Sequence, residues 1–205
     1  MKIFVVGGMT NYSCFIKNAT LVDKLEDADV VLFTGGEDVD PELYGCEKHQ
    51  TTRSNIERDK HEKQIFESVK ENQLCLGICR GSQFLCVMNG GLLVQNCHGH
   101  AIGSTHCITD GKYKYHITST HHQMQYPYNL DKKDYEVLFK SYGNRSDVYE
   151  GDKIEARKIL SQGEPEIVLY HKKGLPKCLA VQGHPEMIPE SPVSEMINTL
   201  INKYL

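Results

Sequence analysis

The chain has 205 residues, of which 40% are hydrophobic and 24% are charged, and its formal net charge is −4 at pH 7. This length predicts a single domain spanning residues 1–205, with enough apolar material for a hydrophobic core. The sequence has no cluster of lysine or arginine residues that would indicate a nucleic-acid partner. No apolar run approaches the roughly 18 residues of a membrane span, so no membrane partner is expected either.

The N-terminus predicts a strand rather than a signal peptide. Its apolar run, Lys2–Val6, is short, is interrupted by Gly7 and Gly8, and is not followed by a small-residue cleavage site. The chain also has eight cysteines. Without a secretion signal we expect them to be reduced and mostly buried, which favours a cytoplasmic location.

Strands and helices alternate in the first half of the chain. In order, the pattern predicts a strand at Lys2–Val6, a short helix around Leu21–Leu25, a buried strand in DVVLFTGG, a helix around Asn55–Glu71, a strand in QLCLGI and a helix at Gly81–Met88. Such alternation is typical of a mainly parallel sheet covered by helices.

Short apolar or alternating runs then predict antiparallel strands between Gly91 and Val181, beside the same sheet. A final helix begins after Ser191, which can cap it, and Pro192 fits its first turn. The expected fold class is therefore α/β: a three-layer sandwich with a central, mainly parallel sheet, helices on both faces and an antiparallel extension.

The stretch LGICRGSQ contains the first candidate catalytic residue. Cys79 lies between Gly77 and Gly81, after a predicted buried strand and before a predicted helix. A nucleophile in such a sharp turn is exposed to substrate, and the helix N-terminus favours the thiolate. The next N–H, that of Arg80, can face a developing oxyanion. A buried structural cysteine is the alternative interpretation.

The stretch VQGHPEM offers a base and a group to orient it. Pro185 biases His184 towards an extended backbone, in which alternate residues share a face. Glu186 can then hold one nitrogen of His184 and leave the other for Cys79. Together these residues predict a thiol hydrolase.

Six motifs in order make the chain resemble the class I glutamine amidotransferase-like superfamily. They are TGGEDVDPELYG, RDKHE, GICRGSQ, GGLLVQN, STHHQ and QGHPEM. Their combination is most similar to the gamma-glutamyl hydrolase branch, which includes gamma-glutamyl-GABA hydrolases. The resemblance implies a Cys-His-Glu triad and a small-molecule gamma-glutamyl substrate.

The resemblance also implies a role for each matching residue. Cys79 would attack the gamma-carbonyl and form a gamma-glutamyl thioester. His184 would carry the proton and Glu186 would orient His184. Gly36 would supply the second oxyanion N–H beside that of Arg80.

The remaining matches concern substrate binding. By the same resemblance, Gln83 would contact the glutamyl group, and His122 and Gln123 would contact its alpha-amino and carboxylate ends. The chain is shorter than is usual for the branch, mostly in the N-terminal loops and after Gln123. Those regions shape the leaving-group side of the pocket, so the resemblance leaves the amine side of the substrate open.

The motifs are compatible with three alternative functions. The Asp-Val-Asp-Pro, Arg-Asp-x-x-Glu and His-His-Gln motifs favour a free-standing hydrolase. The alternative is a glutaminase subunit that channels ammonia to a partner synthetase. A catalytically dead binding module would share the fold, but the intact Cys79, His184 and Glu186 argue against it.

Two further groups of residues could bind ligands. Suitable zinc ligands by type are Cys97, His98, His100, His106 and Cys107, together with His121 and His122. Their spacing matches no familiar zinc site, so a polar loop at the rim of the site is expected and no metal. No phosphate-binding Gly-x-x-x-x-Gly-Lys loop is present, and no cofactor is expected. Four basic residues could bind an anionic leaving group or be solvated charges: Arg53, Arg58, Lys112 and Lys114.

Overall fold

Thirteen strands form one large and two small sheets in the computed structural model, which describes residues 1–205. In chain order they are β1 (Lys2–Val5), β2 (Thr20–Leu21), β3 (Val30–Phe33), β4 (Leu74–Ile78), β5 (Leu92–Val94), β6 (Asn96–Cys97), β7 (Ala101–Thr109), β8 (Lys114–Thr120), β9 (Met124–Tyr126), β10 (Tyr135–Ser141), β11 (Tyr149–Glu150), β12 (Pro165–Tyr170) and β13 (Cys178–Val181).

The large sheet has the order β2–β1–β3–β4–β13–β12–β10–β7–β8. Its first five strands, from β2 to β13, are parallel, and the other four continue the sheet in antiparallel pairs. The small sheets pair β5 with β9 and β6 with β11. This arrangement confirms the expected parallel centre and antiparallel extension.

Four α-helices cover the two faces of the large sheet. They are α1 (Ile56–Glu67), α2 (Arg80–Met88), α3 (Ala156–Gln162) and α4 (Pro192–Tyr204). Side chains of β3 alternate between two hydrophobic clusters, because successive residues of a strand point to opposite faces. One cluster includes residues of α1, α2 and α3, and the other includes residues of α4, so the expected three layers are present.

Local signals predicted most elements but not all. The apolar residues near Leu21 form no helix, because Thr20–Leu21 pairs with β1 as an edge strand and only a 3₁₀ turn follows, at Leu25–Asp27. The short helix α3 was not predicted. The last helix is as predicted: the hydroxyl of Ser191 accepts the N–H of Ser194 at 3.3 Å. No helix combines the length and apolar character needed to cross a membrane.

Helix α2 approaches the sheet so closely that only glycine fits at two positions. A Cβ on Gly77 would lie 2.5 Å from the carbonyl oxygen of Gly81, and one on Gly81 would overlap the carbonyl oxygen of Phe33. Real Cβ atoms essentially never come this close to another heavy atom, so neither glycine can be replaced without a shift of the backbone. The Gly-x-Cys-x-Gly pattern is thus a steric requirement for the close packing of α2 against β3 and β4.

A buried ion cluster joins α2 to α1. The guanidinium of Arg80 is 2% exposed and contacts the carboxylates of Asp59 and Glu62. Glu62 also accepts the Nε–H of Arg58 at 2.8 Å. Two positive and two negative side chains therefore balance in this cluster, and desolvation of each charge is offset by its partners.

Removing Arg80 from this cluster should destabilise the protein strongly. In Arg80→Met, Asp59 and Glu62 would be left buried with one cation fewer, and breaking a buried pair in this way costs about 3–5 kcal/mol. Urea unfolding measures the loss. The control is Arg157→Met, because Arg157 is 86% exposed and its pair with Glu155 should contribute at most about 1 kcal/mol. Equal stability of the two variants would contradict the assigned role of Arg80.

Candidate active site

The candidate nucleophile occupies the turn between β4 and α2. Cys79 has φ = +52° and ψ = −109°, a conformation that non-glycine residues rarely adopt. Its N–H donates to the carbonyl of Val181 at 2.8 Å, and its carbonyl accepts the N–H of Ser82 at 3.0 Å. The turn is therefore held by β13 on one side and by the first turn of α2 on the other. Such strain at a turn is typical of functional sites.

The candidate base and its orienting carboxylate lie side by side, after β13. Nδ1 of His184 is 2.7 Å from Oε1 of Glu186, and both side chains are less than 10% exposed. The N–H of His184 donates to Oγ1 of Thr118 at 2.6 Å, which ties this segment to β8. The imidazole is thus fixed by contacts to both its ring and its backbone.

The electrostatics of His184 favour the imidazolium. Burial lowers the pKa of His184, but hydrogen bonding and charge from Cys79 and Glu186 outweigh burial and raise the pKa to about 10. The structure therefore brings Cys79, His184 and Glu186 together as interacting groups. A protonated imidazole beside the thiol is the arrangement that stabilises a thiolate.

The glycine pair after β3 lies beside these groups. Gly36 has φ = +138°, a left-handed conformation that favours glycine, and a Cβ there would overlap Nη1 of Arg58. Arg58 holds the loop by donating from Nη2 to the carbonyl of Gly35 at 2.9 Å. The N–H of Gly36 has no acceptor within the protein. It is therefore available to a ligand.

A cavity of about 180 Å³ opens at Cys79. Six of the eight predicted site residues line it: Gly36, Cys79, Arg80, Gln83, His122 and Gln123. The same cavity is bordered by Glu37, Asp38, Arg53, Thr120 and His121, of which the sequence singled out only Arg53 and His121 as candidate ligands, each for a different role. His184 and Glu186 lie outside this lining.

The predicted substrate contacts are partly engaged with one another. Nε2 of Gln83 donates to the carbonyl of Gln123 at 3.0 Å, and Nε2 of Gln123 donates to Oγ1 of Thr52 at 3.1 Å. Nε2 of His122 lies 3.1 Å from Asp38, and hydrogen bonding to this carboxylate raises the pKa of His122. The wall that these residues form carries both positively and negatively charged side chains.

Tyr12 is a neighbour of the site that sequence reasoning missed. Its ring centroid is 6.1 Å from that of His184, and a Cβ on Gly35 would lie 2.6 Å from its hydroxyl. Burial, together with the charges of Glu186 and Cys79, raises the pKa of Tyr12. No local pattern distinguishes this tyrosine, because a long-range approach places it here.

The basic residues considered as anion ligands separate into different environments. Arg53 lines the cavity, whereas Arg58 is held in the buried ion cluster. Lys112 and Lys114 lie against the rings of Tyr113 and Tyr142, on and beside the β7–β8 hairpin. Only Arg53 is therefore placed to meet a ligand bound at Cys79.

The histidine-rich stretch does not form the expected loop at the rim. Residues 101–109 form strand β7, and His100 and His106 are buried against Glu166 of β12. The β7–β8 pairing draws this stretch into the sheet extension. His98 and Cys107 are not part of this buried group.

Comparison with known proteins places the chain in a family. The model of the peptidase C26 family matches residues 15–186. A glutamine amidotransferase-like protein, the YvdE homologue of Lactococcus lactis subsp. cremoris, is 40% identical over 84 residues, which cover 37% of this chain and 45% of that protein. The matched stretch spans less than half the length of the curated relatives.

Solved structures share the fold at low sequence identity. A proposed GMP synthase subunit from Thermoplasma acidophilum has a TM-score of 0.61 at 16% identity, covering 98% of this chain and 92% of the other. A glutamine amidotransferase from Thermotoga maritima has a TM-score of 0.53 at 14% identity, covering 100% and 94%. Together with the family match, they show a class I glutamine amidotransferase-like fold.

The contact between His184 and Glu186 predicts the pH dependence of any reaction at Cys79. The alkaline limb of kcat/KM should lie near the pKa of His184, about 10. In Glu186→Gln the negative charge that favours the imidazolium is lost, so this limb should move to lower pH. The value of kcat/KM should fall by about 10²–10⁴-fold.

The matched control is Glu190→Gln, which changes an exposed glutamate four residues away. It should leave the profile unchanged. An unshifted alkaline limb in Glu186→Gln would contradict the proposed electrostatic role of that residue.

Proposed function

This chain belongs to the peptidase C26 family, and from that premise we propose that it is a free-standing thiol hydrolase of gamma-glutamyl amides. The observation that carries the proposal is the small cavity of mixed charge that opens at Cys79. The products would be glutamate and an amine or ammonia.

The proposed reaction has two halves that share one nucleophile. The thiolate of Cys79 attacks the gamma-carbonyl carbon, and the resulting oxyanion accepts hydrogen bonds from the backbone N–H groups of Gly36 and Arg80. The C–N bond then breaks as His184 donates its proton to the leaving nitrogen, which leaves a gamma-glutamyl thioester. Water attacks the thioester, His184 takes the proton of that water, and glutamate leaves as the thiolate is restored.

Recognition of the glutamyl group follows from the charges in the cavity wall. An alpha-amino acid end carries one ammonium and one carboxylate. Arg53 and the imidazolium of His122 suit the carboxylate, and the carboxylates of Glu37 and Asp38 suit the ammonium. The raised pKa of His122 supports its charged form.

The size of the cavity supports an amino-acid-sized occupant. Its 180 Å³ is smaller than the roughly 300–1,000 Å³ of sites for drug-sized ligands. The leaving group would therefore extend beyond this cavity. The glutamyl half of the substrate is proposed on these grounds, and the amine half is left to experiment.

A hydrolysis panel tests the proposal, with glutamate release as the measurement. The panel contains glutamine, gamma-glutamyl amines, gamma-glutamyl peptides and phosphorylated gamma-glutamyl amides. We expect turnover by the protein alone on at least one conjugate. In Cys79→Ala this activity should fall by at least about 10³-fold, because the thioester cannot form. Mass spectrometry should detect the acyl group on Cys79 of the wild type.

The control for the thiol is Cys46→Ala, a half-buried cysteine whose Sγ contacts only the carbonyl of Asp152 among hydrogen-bonding groups. It should keep full activity. Strong glutamine hydrolysis that appears only with an added synthetase would instead support the alternative, a glutaminase subunit. Full turnover by Cys79→Ala would refute the nucleophile assignment.

Arg53 provides a separate test of glutamyl recognition. In Arg53→Gln the charged partner of the substrate carboxylate is lost, which removes about 1.5–3 kcal/mol of binding. KM should rise by about 10–100-fold while kcat changes little, because the interaction is the same in the ground and transition states. Arg157→Gln, on the exposed start of α3, is the matched control. An unchanged KM in Arg53→Gln would contradict this role.

A further inference from the structure

A second group of ionisable side chains lies buried behind the cavity wall. It consists of three imidazoles and two carboxylates, none more than 4% exposed, and we name it the histidine–glutamate cluster: His100, His106, His121, Glu164 and Glu166. None of these residues has a role in the proposed hydrolysis. So many buried ionisable groups need a specific compensation.

Three members converge tightly enough to share one ion. The candidate ligand atoms of His100, His106 and Glu166 all lie within 4.8 Å of one another. Nε2 of His106 is 2.7 Å from Oε1 of Glu166, and Nδ1 of His100 is 3.7 Å from the same oxygen. Ligands of a tetrahedral Zn²⁺ at 2.0–2.1 Å are ~3.3 Å apart, so shifts below 1 Å would give coordination.

His121 supplies a third imidazole nitrogen as the fourth candidate ligand; its ring lies next to that of His100, outside the group of atoms within 4.8 Å of one another. Its Nδ1 faces the carbonyl of Gln123 at 2.8 Å, which places the ring proton on that side. Its Nε2 is therefore a free lone pair, and this atom is buried without any partner. The ring centroid of His121 is 4.6 Å from that of His100.

The outer contacts of these imidazoles are those of metal ligands. A ligating histidine usually directs its other nitrogen to a carboxylate or a backbone carbonyl. Nε2 of His100 lies 3.2 Å from Oε2 of Glu164, and Nδ1 of His121 meets the carbonyl of Gln123. The second contact of His121 is a hydrogen bond, whereas that of His100 is a close approach to a carboxylate that forms no hydrogen bond at its present angle.

The charges of the cluster also suit a divalent cation. No lysine or arginine side chain pairs with Glu164 or Glu166. Two buried carboxylates need two positive charges, and one divalent cation supplies both. The alternative is two protonated imidazoles, which would balance the same charge without a metal.

We propose that His100, His106, His121 and Glu166 bind one divalent transition metal ion, with Zn²⁺ as the expected occupant. Imidazole and carboxylate ligands in a four-coordinate site suit this ion. Glu164 orients His100 and is not itself a ligand. Because all four ligands are buried, the ion has a structural role and no open position for substrate.

The location indicates what the ion would stabilise. Glu166 lies on β12, His106 on β7, and His121 in the segment that carries Gln123 to the cavity. The carbonyl of Gln123 accepts from both His121 and Gln83. A metal bound to His121 would therefore fix the cavity wall from behind.

Cobalt(II) binding to the full-length protein tests the proposal. The wild type is stripped with a chelator, dialysed and titrated with Co²⁺ alone, then back-titrated with Zn²⁺. We expect one ion per chain, the visible bands of four-coordinate cobalt, no thiolate-to-cobalt charge transfer, and displacement by Zn²⁺. Zn²⁺ should also raise Tm, because a metal that binds the native state stabilises it.

Variants locate the ion. His106→Gln and Glu166→Gln should each weaken binding by at least about 100-fold. The matched control is His98→Gln, because His98 is 58% exposed and contacts only Asp147 through its ring. Cys79→Ala should also keep the site, which distinguishes it from metal capture by the candidate catalytic thiol.

Several results would overturn the proposal. They are absence of stoichiometric binding by the stripped wild type, loss of binding in Cys79→Ala, and binding retained in both cluster variants. Because binding and Tm of the wild type decide the first outcome, the test remains valid if a cluster variant fails to fold. Hydrolytic activity does not enter any of these readouts, so the proposed function stands or falls separately.

Discussion

The close approach of α2 to the parallel sheet is the constraint on which the candidate site depends. Glycine is required at positions 77 and 81 because backbone atoms occupy the space that a Cβ would need. Between these two glycines, Cys79 has a positive φ at the carboxyl end of β4. The neighbouring parallel strands end at the same edge, so the loops after β3 and β13 bring Gly36 and His184 to the same turn.

Buried ion pairs hold the side chains around this turn in place. Arg80 is held by Asp59 and Glu62 beneath the turn, and His184 is held by Glu186 beside it. In each case a desolvated charge is stabilised by a partner that also restricts its orientation. A buried ion pair therefore positions side chains even where its net contribution to stability is small. The histidine–glutamate cluster extends the same pattern to the antiparallel part of the sheet.

The two halves of the candidate pocket have different physical origins. The proposed reacting groups directly follow parallel strands, whose ends are fixed by hydrogen bonding within the sheet. The proposed glutamyl-binding wall comes mainly from loops, and contacts between side chains and backbone hold it, such as that of Gln83 on α2 with the loop residue Gln123. Loops vary without disturbing the sheet, which explains how one nucleophile can be combined with different substrates on this fold.

Features that depend on near neighbours in the chain could be predicted from the amino-acid order. The buried strands, the elbow at Cys79 and the pairing of His184 with Glu186 follow from spacings of one to four residues.

Which distant groups meet depends instead on the folded chain. The burial of the Arg80 side chain, the approach of Tyr12 to His184 and the convergence of His106 with Glu166 join residues 21, 172 and 60 positions apart. Sheet order sets these contacts, because β12 and β7 each pair with β10 although they are distant in the chain. Pairing with β1 made Thr20–Leu21 an edge strand, and pairing with β8 and β10 drew the histidine-rich stretch into the sheet as β7.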